Sequence, residues 1–167
     1  GTISISNIDS SVYVGGITGY NVGNNEFKYC NNDTDINCDY CLDDLYAGGL
    51  VGYAKSTTGN IGSCSNTGDV KVIRSSDTYV GGIFGYFDGR VAYNEAPIYN
   101  RMNISNSSVT GYEYVGGVAG AGDANHSIID NVTVTGSRRV GGAIGQAKGT
   151  YQFGNIVRNS HVYGSEY

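Results

Sequence analysis

The chain reads as an all-β protein, a β-solenoid (parallel β-helix) of about five glycine-rich repeats, and three observations predict that fold. A phrase built on a double glycine recurs five times, its first glycines Gly15, Gly48, Gly81, Gly116 and Gly141 lying 33, 33, 35 and 25 residues apart. Self-similarity at such a period marks repeat architectures. Between the glycines, Ile, Val and Tyr alternate with small or polar residues and follow no helical period, and each glycine inside a helix would cost about 1 kcal/mol. Finally, 27 glycines stand against a single proline, a composition suited to tight corners and close backbone approach.

Repeats one to three carry the phrase between two tyrosines: Tyr13 to Tyr20, Tyr46 to Tyr53 and Tyr79 to Tyr86. Repeat four begins at Tyr114 and ends at Ala121; repeat five replaces both tyrosines, with Arg139 and Gln146. Stacking such repeats by parallel strand pairing puts one rung about 4.8 Å above the next, so five give a rod on the order of 25 Å long. The second glycines, Gly16, Gly49, Gly82, Gly117 and Gly142, then form a column beside the first. Two apolar columns flank them, one of Val14, Ala47, Val80, Val115 and Val140, the other of Ile17, Leu50, Ile83, Val118 and Ala143. In a straight strand these columns point to opposite faces. Either the double glycine is a corner that turns both inward or something outside the rod covers one column; the corner is the favoured reading, because Gly accepts the dihedrals a corner needs.

A second phrase precedes the double glycine: Asn106 to Gly111, Asn131 to Gly136 and Asn159 to Gly164, with Asn7 and Asn66 read as the same element. Amides in one column bond to the rungs above and below. Residues 1–167 form one domain. Neither end carries a capping helix or charged segment, and uncapped rungs expose unpaired backbone, which predicts a longer array or a fibre made with other copies. The N-terminus does not read as a signal peptide, so the expectation is a mature chain or an excised piece.

The chemically dense stretch is a Cys- and Asp-rich loop insertion at about residues 22–44, between the first and second repeats. Three readings of it stand side by side. The even count of four cysteines suits disulfides in an oxidised module. Cys30 and Cys64 fall at nearly the same phase of consecutive repeats, which predicts a bridge between rungs and leaves Cys38 and Cys41 to pair within the loop. A four-thiolate zinc site could use the same cysteines, although a second C-x-x-C is missing. Oxygen donors at alternate positions, Asp33, Asp35, Asn37 and Asp39 with Asp44, imitate a calcium loop, with Cys38 where that loop needs Gly.

Catalytic machinery is not legible. His126 and His161 are the only histidines and sit at different repeat phases. There is no H-E-x-x-H helix and no G-x-S-x-G elbow, and Asp43 and Asp44 read as solvated loop charges. The expectation is no enzyme and no cofactor, with Ca²⁺ the alternative. A net charge of −5 with ten Lys and Arg argues against nucleic acid and anionic membrane surfaces, and no apolar run reaches the roughly 20 residues of a membrane span. Sequons at Asn32, Asn103, Asn106, Asn125 and Asn131 would accept glycans in a secretory pathway. The tyrosine column Tyr13, Tyr46, Tyr79, Tyr114 and Tyr167 is a packing ladder or a carbohydrate-stacking strip.

The phrase V-G-G-[IVLA]-x-G-Y, followed by a polar turn and I-x-N-x-x-V-x-G, resembles the GLUG-type repeat; Tyr46 to Tyr53, YAGGLVGY, match it most closely. The resemblance covers essentially the whole chain except about residues 22–44. It implies the setting of large bacterial surface proteins, adhesins and immunoglobulin A-cleaving peptidases, where such repeats are scaffold and catalysis lies elsewhere. Together these readings predict a non-enzymatic extracellular structural module at a cell surface. Its partners would be other copies, flanking repeats or surface glycans. The alternatives are a glycan- or metal-binding module, or the scaffold portion of a large secreted peptidase.

Overall fold

The computed structural model describes residues 1–23, 27–55, 61–73, 77–89, 101–148 and 154–166. These residues contain no helix, and their strands pair in parallel throughout. Each repeat phrase supplies one strand to each of two five-stranded sheets. The first holds Val12–Gly15, Leu45–Gly48, Thr78–Gly81, Tyr114–Gly116 and Val140–Gly141, and the second holds Thr18–Val22, Val51–Lys55, Phe84–Asp88, Ala119–Gly122 and Ile144–Ala147. Neighbours in both sheets are consecutive repeats, so spatial order follows sequence order.

Register is set by the phrase. Tyr13 lies opposite Tyr46, Tyr46 opposite Tyr79 and Tyr79 opposite Tyr114, and the first glycines pair in line from Gly15 to Gly141. Both apolar columns are inside: Val14, Ala47, Val80 and Val115 share one core with Leu50, Ile83 and Val118. The two residues after the first glycine bend the chain between sheets, which brings side chains of opposite parity to one interior.

Of the two uses expected for glycine, special dihedrals and close backbone approach, the paired glycines serve the second. None of the ten paired glycines has a positive φ. What they provide is space: a Cβ on Gly48 would sit 2.7 Å from both Gly85 N and Ile83 O, and the third glycine of the phrase is as crowded, a Cβ on Gly52 lying 2.6 Å from Gly19 O and Val14 N. The two sheets thus meet backbone to backbone, closer than the roughly 10 Å of sheets separated by side chains.

A nine-stranded sheet contributes buried residues to the same core. Its long strands, Met102–Thr110 and Ser127–Gly136, bend at Asn106 (φ 51°) and Asn131 (φ 54°), left-handed positions that Asn tolerates. Asn131 Nδ2 donates to Asn106 Oδ1 at 2.9 Å, the expected amide contact between repeats. Asn159 also has a positive φ but donates instead to Asp130 Oδ1 at 2.9 Å. Asn66 is a correction: it registers with Asn32 and Ile104, not with the Asn106 column, and lies wholly buried. Asn7, which shares the positive φ, falls opposite Tyr40.

The stretch expected as a loop insertion is instead part of the array. Asp35–Cys41 is a seven-residue strand of the large sheet, paired in register with Thr2–Ile8 on one side and Val70–Val72 on the other. Its alternation decides this: Ile36 and Cys38 point into the core with no exposed surface, while Asp35, Asn37 and Asp39 alternate outward, half-buried.

Candidate functional site

The most regular surface feature is a double file of tyrosines along one face. The bend at the double glycine folds each second phrase-tyrosine back beside the first, so Tyr20, Tyr53 and Tyr86 form a second file next to Tyr13, Tyr46, Tyr79 and Tyr114. Within the first file the rings are parallel, with centroids 5.0, 4.7 and 4.6 Å apart; within the second the spacings are 5.2 and 5.0 Å. Between files the rings meet edge to face, at 85° to 90° in four contacts and at 72° between Tyr13 and Tyr20.

Elementary geometry explains this pattern. Strand pairing spaces the rings at about 4.8 Å, whereas stacked carbons touch at about 3.5 Å, so each ring must tilt by about 43° to close the gap. Two files tilting in opposite senses cross at close to a right angle, which is also the edge-to-face arrangement that ring quadrupoles favour. Burial raises the phenol pKa of Tyr79 to about 12, with electrostatic repulsion from the neighbouring Tyr114 phenol and the Asp44 carboxylate adding to it. Tyr46, Tyr53 and Tyr86 are raised as well, chiefly by burial.

The two ends of the double file differ. At the C-terminal end the guanidinium of Arg139 lies 4.8 Å from the Tyr114 ring centre, and Lys148 Nζ lies 4.9 Å from that of Tyr86. Arg139 thus takes the tyrosine position of repeat five and covers the last ring with a cation. It also pairs with Glu113, a carboxylate with only 7% of its side chain exposed, which Arg138 approaches at 3.4 Å. At the N-terminal end Tyr13 and Tyr20 are 40% and 56% exposed. Tyr167 lies outside the described residues.

The candidate metal ligands do not converge. Asp35, Asn37 and Asp39 are strung along a strand, where alternate residues stand about 6.6 Å apart and cannot wrap one ion. Asp35 Oδ1 accepts the Asp69 N–H at 2.9 Å, Asp69 Oδ1 accepts the Ser108 N–H at 2.6 Å, and Asp44 accepts from the Tyr46 hydroxyl at 3.3 Å. Asp33 is exposed. Among the described residues no three His, Cys, Asp or Glu side chains are grouped to hold a metal ion.

All four cysteines are free thiols. Cys38 and Cys41 do not lie in a loop as expected but on one strand, in register with Ile5 and Ile8. Burial, with Cys41 and Asp39 nearby, pushes the Cys38 thiol up to about 12, and burial raises Cys41 too. Cys30 and Cys64 do come together as neighbours in adjacent repeats.

Of the sequons, Asn32 is buried, its amide donating to Asn66 Oδ1 and Thr34 O at 2.8 Å each, and Asn125 is 4% exposed. Asn103, Asn106 and Asn131 are exposed. His126 and His161 remain apart, the latter 6.2 Å from the Tyr163 ring in the last described strand. The second tyrosine file and its cationic cover were missed from sequence alone. Their signals were the seven-residue spacing of the phrase-tyrosines and the loss of both in repeat five.

No curated protein and no solved structure shows significant similarity to the chain. Residues 43–71, from the acidic turn before Leu45–Gly48 through the strand Val70–Val72, match the family model of the GLUG motif, so at least this repeat is similar to that family.

Proposed function

We propose that the chain is a non-enzymatic structural module, a β-solenoid segment of an extracellular stalk, fibre or adhesin that projects or self-associates at a cell surface. The observation that carries this reading is the unbroken in-register stacking of five repeats in two parallel sheets. The side chains of Asn32, Asn131 and Asp35 add hydrogen bonds that hold one repeat to the next. A surface setting is supported by the GLUG motif and by a composition poor in cations and rich in Tyr and Gly.

Glycan binding along the tyrosine face is the second reading. The parallel stacking favours it only locally, because interior ring faces are covered by their neighbours and only Tyr13 and Tyr20 at the open end offer a free face to a sugar. Sedimentation velocity over a hundredfold concentration range, with a glycan array in parallel, tests both. The structural reading expects concentration-dependent growth without glycan capture. A monomer at every concentration that retains a glycan through Tyr13 and Tyr20 would replace it with the second.

A further inference from the structure

We propose that Cys30 and Cys64 form a thiol pair that closes to a disulfide between the first two repeats, with Cys30 as the entry thiol and Cys64 as the resolving one. The register brings them together from both sides. Lys28 pairs with Gly62 and Asn31 with Ser65, in parallel and with the same 34-residue offset that separates the two cysteines. Ser65 N–H donates to Cys30 O at 2.8 Å, so the strands are tied directly beside the pair. In-register parallel neighbours stand about 4.8 Å apart, inside the 4.4–6.8 Å that a disulfide requires between Cα atoms.

Local geometry repeats at the two positions. Cys30 Sγ lies 3.5 Å from Lys28 O and Cys64 Sγ 3.2 Å from Gly62 O, each two residues back, so both side chains leave the backbone in the same sense. The residues before them, Tyr29 and Ser63, share a positive φ of 57° and 53°. The pair is unequal in access: Cys64 is 1% exposed and Cys30 is half-buried. Burial also pushes the Cys64 thiol up to about 11, so it stays protonated at neutral pH. Tyr40 before Cys41 shares the positive φ, but Cys38 and Cys41 lie three residues apart on one strand, both enclosed in the core and in separate register positions.

The reaction needs a two-electron oxidant, and a low-molecular-weight disulfide supplies it. The Cys30 thiolate attacks one sulfur of glutathione disulfide, forming a mixed disulfide and releasing one glutathione. Cys64 then attacks Cys30 Sγ, the protein disulfide forms, and the second glutathione leaves. Two protein S–H bonds are lost and one S–S bond is gained; the two protons and two electrons end on the two released glutathione thiols. The bridge would tie the first repeat to the second, making the stability of that end depend on the redox state around it.

The test uses the full chain, reduced and then treated with glutathione disulfide, followed by intact mass and peptide mapping. Wild type is expected to lose two hydrogens and yield a Cys30–Cys64 crosslinked peptide. Cys64→Ser should stop at a single glutathione adduct on Cys30, and Cys30→Ser should remain largely unmodified at Cys64. The thermal midpoint of wild type should rise on oxidation and fall back with dithiothreitol. Four thiols still free after treatment, a bridge mapping to any other pair, or a glutathione adduct at Cys64 of Cys30→Ser forming at the wild-type rate would each overturn the proposal.

Discussion

A side chain added at Gly82 has nowhere to go: its Cβ would collide with Ile104 Cδ1 and the carbonyl oxygen of Gly117 in the next repeat. The same oxygen accepts the Gly82 N–H at 3.1 Å, so the contact cannot open without breaking the stack. Gly82→Val is therefore expected to destabilise by about 1–3 kcal/mol, the usual cost of overpacking. At Gly164 the nearest atom to a built Cβ is Val140 Cγ2 at 3.7 Å and φ is not positive, so Gly164→Ala should stay within about 0.5 kcal/mol. Chemical denaturation of the two variants checks the pair, and equal stability would remove the crowding explanation. The glycine column was legible in the sequence; the residue facing it was not. Gly16 faces Asn32, Gly49 faces Asn66, Gly82 faces Ile104 and Gly117 faces Ile129, a change from amide to hydrocarbon that no periodicity announces because the facing residues lie 12 to 22 positions downstream through segments of unequal length.

Among elements, the tyrosine file joins packing to titration. Phenol groups enclosed by neighbouring rings resist ionisation, and Tyr79 is raised from 10.0 to about 12. The folded state therefore holds its proton more tightly than the unfolded chain does. The associated stability is fully present below pH 10 and is lost as pH rises through about 12. The expected outcome is a phenolate absorbance titration in which the enclosed tyrosines ionise later than in urea, with unfolding setting in across that alkaline window. Superimposable titrations of folded and unfolded protein would contradict the burial of the file. One file was visible in the sequence as a column of identical residues. The second acquires its place from the bend at the double glycine, since residues seven apart on a straight strand would stand about 23 Å from one another. Asp35–Cys41 shows the opposite failure: its polar alternation imitates a calcium loop, and only pairing on both sides identifies it as a strand.

For the whole molecule, each repeat is supported by its neighbours alone, so stability should fall from the middle of the stack to its ends. The same column position shows this: Ile17 is 47% exposed, whereas Leu50 and Ile83 are 2% and 0% exposed. Hydrogen exchange followed by mass spectrometry should find the slowest amides in Thr78–Gly81 and Phe84–Asp88, which pair on both sides, and faster exchange in Val12–Gly15 and Val140–Gly141. Uniform exchange along the chain would instead indicate a single cooperative unit.

Sequence by itself determined the all-β class, the number of double-glycine repeats and the register that pairs like with like, because a repeated phrase specifies its own partner in the next copy. It also brought Cys30 and Cys64 to the same repeat phase. Only the tertiary structure decided which way each column faces, that residues 35–41 belong to the sheet, and that Asn66 leaves the Asn106 column. These outcomes depend on which segments of unequal length are accommodated in corners and which in strands. That choice is made by the burial of Ile36, Cys38, Ile104 and Phe84 against residues distant in sequence, a balance of packing that a single chain read end to end does not contain.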